Sequence, residues 1–218
     1  MTSHVLGTKS PVETRPRPTL REEAQTLQQA IRESISTSPE AFLKTVDDVD
    51  ELSIDYWEKE IDSSTWAVIE RGEEVVGIAV ARWPNREMDS DIEPNEARFI
   101  ESVWIAPELR GRQIGERLMR FLFEVECKKN PDIRQFLLWV FDKNLSAIRL
   151  YDRMGFVYTG VKNEDARGGR TELRFKYRLT FDTAAVAKAT ETAVNNAARR
   201  KDLRDFGVCY RILGENTA

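Results

Sequence analysis

The hydrophobic pattern changes period once, and the chain is organised around that change. Positions 99–106 read FIESVWIA, an apolar, β-branched and aromatic run that Pro107 stops. A short basic turn, Arg110-Gly111-Arg112-Gln113-Ile114-Gly115, follows, and the apolar residues then recur at helical spacing as far as Lys129. This is the signature of strand, loop and long amphipathic helix. Upstream, Pro16 and Pro18 place a first strand over 12–17 at a sheet edge. Thr19-Leu20-Arg21-Glu22 reads as a capping box for a helix over 20–34 whose apolar face is Leu20, Ala24, Leu27, Ala30, Ile31 and Ile35. Ser38-Pro39-Glu40 predicts a short helix over 40–46, and Ser53 caps a third helix carrying Ile54, Trp57 and Ile61.

A hairpin is expected over 65–71 and 74–83 around a Gly72-Glu73 turn. The segment 84–95 is polar and acidic, with Glu87, Asp89, Asp91 and Glu93, and reads first as a solvated loop and second as an acidic pocket rim. Positions 134–141 are continuously apolar, as in a strand buried on both faces. A helix over 144–154 ends at Gly155, and strands follow over 156–160 and 171–180. In the last, Leu173, Phe175, Tyr177 and Leu179 alternate with Glu172, Arg174, Lys176 and Arg178. Residues 1–10 read as a disordered tail and 11–180 as the main domain. Over 181–218 the composition shifts to a helical extension with a thin apolar stripe, Val186, Ala189, Ala193, Ala197 and Leu203, and an added strand over 208–212. That stripe suits docking on the domain or on a second copy in a homodimer.

Composition narrows the chemistry. The 218 residues are 41% hydrophobic and 32% charged with a net charge of −4, enough for one sizeable core and no electrostatic case for nucleic acid. There is no apolar run of membrane-spanning length and no signal-peptide core at the start, so a soluble, cytoplasmic protein is expected. The two cysteines, Cys127 and Cys209, have no metal-ligand spacing, and the single histidine is His4. A histidine-based triad or a histidine-rich metal site is excluded by inventory.

At the start of the long helix the first backbone N–H groups have no intrahelical acceptor, and with the helix dipole and two arginines they make a pocket for an anion such as a pyrophosphate. The strand ending in VWIAP, the RGRQIG turn, Asn144 and the AxxLYxxxGF segment from Ala147 to Phe156 together resemble the acetyl-coenzyme A core of the GNAT superfamily of N-acetyltransferases. The resemblance covers residues 65–180 and implies an α/β (α+β) fold, a central mixed, mostly antiparallel sheet of about seven strands flanked by helices. The family turn reads Arg/Gln-x-x-Gly-x-Gly/Ala, and here Gln113 stands where glycine is usual. A helix-initiating residue with negative φ accepts that side chain.

The resemblance implies acetyl-CoA as cofactor, with the backbone of Val103, Trp104 and Ile105 along the pantetheine arm of a strand that splays from its neighbour. It implies that Arg110, Gly111, Arg112, Gln113, Ile114, Gly115 and Glu116 hold the pyrophosphate, and that Phe42, Tyr56 and Trp57 line an acceptor pocket unless they pack on the sheet. Tyr151, whose phenol titrates near 10, becomes the general acid for the leaving thiolate. Asn144, two turns earlier, caps its helix and reaches the pantetheine. Glu101 shares the parity of Val103 and Ile105, so it lies in the cleft or pairs with an arginine, and it is the first candidate base. Asp142 is the second, and ordered water is the alternative to both. Cys127 reads as a small apolar filler. The activity implied is direct transfer of an acetyl group to a small-molecule or peptide amine. The reading from a different class is a non-catalytic acyl-CoA-binding module.

Overall fold

In the computed structural model, residues 15–85, 89–164 and 169–179 are described; the expected tail over 1–10, helix over 182–204 and strand over 208–212 lie outside them. Seven strands form one sheet in the order β1-β2-β3-β4-β5-β7-β6. They are β1 Arg17–Pro18, β2 Thr65–Arg71, β3 Glu74–Arg82, β4 Ala97–Ile105, β5 Gln135–Phe141, β6 Val157–Glu164 and β7 Thr171–Arg178. Only β4 and β5 pair in parallel, so the sheet is mixed and mostly antiparallel. The helices are α1 Ala24–Thr37, α2 Val46–Asp50, α3 Ile54–Ser63, α4 Ile114–Lys129 and α5 Leu145–Met154.

Cross-strand partners share a face, which assigns the two sides of the sheet. Trp66, Val80 and Glu101 lie on one face, as do Phe99 and Arg82. On that face the Trp104 indole donates to Thr37 Oγ1 of α1 at 3.0 Å, and Arg82 contacts Glu60 of α3. The opposite face packs under α4 and α5. There Phe123 of α4 stacks on Phe136 of β5 with ring centroids 4.1 Å apart, and Tyr177 and Phe156 extend the cluster. Burial of these aromatic rings supplies much of the apolar driving force on that side.

Several local readings need correction. Of the strand expected over 12–17, residues 12–14 lie outside the described residues, and among the described ones β1 holds only Arg17–Pro18, because two prolines around Arg17 leave few backbone donors for a ladder. The first cap sits one residue later than expected: Glu23, not Glu22, accepts from the backbone N–H of Leu20 at 2.7 Å. A 3-10 turn at Arg21–Glu23 precedes α1, which extends to Thr37 and leaves Leu20 52% exposed rather than on the apolar face. Ser38-Pro39-Glu40 opens a single 3-10 turn, and the helix that follows starts at Val46, where the Thr45 hydroxyl accepts from Asp48 N at 3.2 Å. Ser53 does cap α3, accepting from Tyr56 N at 3.3 Å. β6 runs through Val157–Glu164, beyond the expected end at 160.

The acidic segment before β4 is not simply solvated. Asp91 takes a bidentate pair of hydrogen bonds from Arg174 of β7, at 2.8 and 2.5 Å, and Asp89 is buried beside the same guanidinium. Arg174 holds the Asp91 carboxyl below its usual range, whereas burial pushes that of Asp89 up. These ion pairs fasten the segment over β5 and β7 on the face that carries Glu101.

Candidate active site

The central strand is bound to its parallel neighbour only at its beginning. β4 pairs with β5 at Ala97, Arg98 and Phe99, and the ladder stops there. From Ile100 to Ile105 the edge of β4 toward β5 is therefore available to another extended chain. A bulge lies in the same stretch: Val80 faces Glu101 and Ile78 faces Trp104, so two steps on β3 match three on β4. Ser102 takes a left-handed conformation, φ 52°, to accommodate the extra residue. The bulge breaks the expected parity. Glu101 shares a face with Trp104, and not with Val103 and Ile105.

Past β4, a 3-10 turn at Pro107–Leu109 leads into the basic loop. Gln113, at the N-cap of α4, has φ 61° and ψ 14°. This overturns the expectation of a negative φ: the position is left-handed, where glycine is favoured and a side chain is strained. Gly111, at φ 74°, has the same handedness and glycine's freedom to adopt it. At Gly115 a Cβ would approach Leu150 Cδ2 to 3.2 Å and Ile105 Cγ1 to 3.7 Å, so the absence of a side chain lets α4, α5 and β4 converge. No side chain caps α4, and the first backbone bond back into the turn is from Arg117 N to Gln113 O. Among the described residues no acceptor meets the N–H groups of Ile114, Gly115 and Glu116, which stand at the positive end of a 16-residue helix.

The side chains of the loop divide their work. Arg110 is occupied: its Nε donates to the Ile105 carbonyl at 2.9 Å and its NH2 to Ser38 Oγ at 2.6 Å, so it braces the loop against β4 and the end of α1. The Glu116 carboxylate is drawn aside by Arg120, whose Nε and NH2 donate to it at 3.0 and 2.9 Å, and is thereby partly neutralised beside the N–H cluster. Arg112 is exposed. Uncapped N–H donors, the exposed Arg112 and a free strand edge fit a diphosphate joined to an amide-bearing arm.

α5 adjoins this region through Leu150 at Gly115. Asn144 is its N-cap, accepting from Ala147 N at 3.2 Å, and Gly155 closes the helix at φ 90°. Tyr151 has its ring buried against Phe156 at a centroid distance of 5.7 Å, and burial pushes its phenol well above 10. Asp142 is exposed, and its backbone N–H donates to Thr171 O at 2.9 Å. Cys127 is a buried thiol pushed up to about 11 by burial, far from reactive. Of the aromatic residues ahead of the hairpin, Trp57 is in the core, Tyr56 is half-buried edge-on to it, and Phe42 accepts through its carbonyl from Arg170 at 3.1 Å.

Glu101 is the second residue of β4 past the end of its ladder with β5. Its side chain is 47% exposed, and Arg82 Nε lies 3.1 Å from Oε2. Desolvation in the recess pushes its carboxyl up, Arg82 opposes this, and Glu60, Asp89 and Glu172 reinforce it. Arg82, Glu60 and Arg174 are site neighbours that sequence reasoning did not single out, whereas Asp89 was named there as part of an acidic rim. The sequence signals were an arginine ending an otherwise apolar strand and a glutamate four residues after Tyr56 on a helix.

Comparison with known proteins agrees with this geometry. The chain aligns over 67 residues at 37% identity with an uncharacterized N-acetyltransferase of Methanocaldococcus jannaschii, 31% of this chain and 29% of that protein's length. The crystal structure of a GNAT-family acetyltransferase from Streptococcus pneumoniae superposes with a TM-score of 0.63 at 16% identity, covering 77% of this chain and all of that one. A structure of a putative acetyltransferase from Salmonella typhimurium with its cofactor acetyl-CoA gives a TM-score of 0.60 at 16% identity, covering 78% and 96%. Among the described residues no helix is long and apolar enough to cross a membrane. The model of the acetyltransferase (GNAT) family matches residues 28–156, which include the unzipped half of β4, the uncapped start of α4 and the helix of Tyr151; the chain belongs to that family.

Proposed function

We propose that the protein transfers an acetyl group from acetyl-CoA to a primary amine of a small molecule or peptide. The observation that carries this reading is the parting of β4 from β5 after Phe99, directly ahead of the uncapped N-terminus of α4. Acetyl-CoA supplies an activated acyl carbon. The free edge of β4 at Val103, Trp104 and Ile105 hydrogen-bonds its amide arm, and the N–H groups from Gly111 to Glu116, with Arg112, hold its diphosphate. The Ile105 carbonyl already accepts from Arg110, so Ile105 contributes its remaining capacity.

Glu101 takes a proton from the incoming ammonium, directly or through water. The amine nitrogen would then form the C–N bond as the C–S bond breaks; Tyr151 would give its phenolic proton to the leaving thiolate, and the second proton shed by the nitrogen would return through water to the phenolate. Burial raises that phenol above its usual range, so it parts with the proton only as charge develops on the sulfur. Asn144 orients the start of α5 and faces the arm.

Incubation with acetyl-CoA and a panel of amines, with free thiol as the readout, tests the reading. Turnover is expected, with a fall of about 100-fold in kcat for Tyr151→Phe, the scale of one lost proton-transfer group. Acetyl-CoA binding without thiol release for any amine would place the chain instead among non-catalytic acyl-CoA-binding modules.

A further inference from the structure

We infer that Glu60, Arg82 and Glu101 form one positioning unit, in which Arg82, anchored from α3 by Glu60, holds the Glu101 carboxylate at the opening between β4 and β5 and fixes its charge. The inference rests on the reading of Glu101 as the proton acceptor and adds residues on two further elements. Arg82 NH2 lies 2.5 Å from Glu60 Oε2, and Arg82 Nε lies 3.1 Å from Glu101 Oε2. Neither contact has hydrogen-bond geometry: Arg82 Nε and Glu60 Oε2 are both sealed from solvent without a partner. The guanidinium is shared between two carboxylates and saturates neither. Arg82 also lies against the Trp66 ring, 5.5 Å from its centroid, which limits where it can swing.

Strand register explains the arrangement. Arg82 is opposite Phe99 and Val80 is opposite Glu101, so Arg82 and Glu101 are diagonal neighbours on one face. The charged groups facing Glu101 are Arg82 from β3, Glu60 from α3, Asp89 from the segment before β4 and Glu172 from β7. A shared arginine among these acids makes opposite predictions for its two flanks. Removing Arg82 leaves Glu101 facing acids alone and raises its titration. Removing Glu60 deletes one repulsive charge and frees Arg82 to close fully on Glu101, and both effects lower it. An Arg82 that served only to tie β3 to α3, with its charge turned from Glu101, would shift neither.

The experiment measures kcat/KM against pH for thiol release by the full chain and for Arg82→Met, Arg82→Lys, Glu60→Gln and Glu101→Gln, with the unfolding temperature of each. The acid limb is expected to rise by about one pH unit in Arg82→Met and to fall in Glu60→Gln. Arg82→Lys should return it most of the way toward the parent, since the charge is kept and the planar fork is lost. The same signs are read without any acceptor as the carboxyl carbon-13 titration of Glu101 in the free protein. Limbs and titrations that stay put in both variants, or move in one direction, would overturn the positioning unit. Should Arg82→Met not fold, the direction in Glu60→Gln decides alone. An acid limb that survives in Glu101→Gln would overturn Glu101 as the base, whatever the carbon-13 titrations show.

Discussion

Two arginines stand one residue out of register across β3 and β4, and each meets a glutamate, yet they end in opposite states. Arg98, on the α4 face, is sealed: its Nε donates to Glu126 at 2.7 Å and its NH1 to the Ala97 carbonyl at 2.7 Å, with side-chain exposures of 4% for Arg98 and 5% for Glu126. Thr65 donates to the other Glu126 oxygen and accepts from Lys129, and the indole of Trp83 covers the guanidinium at 3.3 Å. Arg82, on the other face, has two acidic neighbours, an unpartnered Nε and a carboxylate partner open to solvent. A charged network closed on every side acts as a fastener. A network left short of partners beside an opening retains the capacity to exchange a proton or accept a ligand.

The largest expected effect breaks the closed side. Arg98→Met strands the Glu126 carboxylate in the interior and should cost about 3–5 kcal/mol in urea unfolding. The acid limb of the rate profile should not change. Trp83→Ala uncovers Arg98 and should cost about 1 kcal/mol by the same measurement, with no effect on the acid limb. The smallest effect sharpens the contrast. A double-mutant cycle on Arg82 and Glu60 should return a coupling of less than about 1 kcal/mol in stability, because the pair is poorly aligned and Arg82 is shared with Glu101. A coupling as large as that of Arg98 with Glu126 would erase the distinction between fastener and functional network.

The sequence made much of this visible, for reasons of range. The β2–β3 hairpin, the caps at Ser53 and Asn144, the stop at Gly155 and the strand-loop-helix centre are set by neighbours within a few residues, and period and cap chemistry show them. The handedness of Gln113 was hidden, because φ at a cap depends on how the loop must approach α4 and Arg110 pins that loop to Ser38, 72 residues away. The parity of Glu101 was hidden by a bulge that only β3 reveals. The acidic segment read as solvated because its partner, Arg174, lies 83 residues beyond Asp91. Tyr151, Asn144 and the loop came from a motif; Arg82 and Glu60 came only from three-dimensional contact.

The left-handed Ser102 carries a consequence of its own. Side chains along a strand alternate with a period of two, so one inserted residue exchanges inside and outside for everything downstream. β4 behaves as two rulers joined out of phase: odd-numbered residues face α1 up to Glu101, and even-numbered ones do so from Trp104. Excising the single residue Ser102 would bring the rulers into step with Trp104 still opposite Ile78 and facing Thr37, and turn the unzipped edge into an ordinary strand.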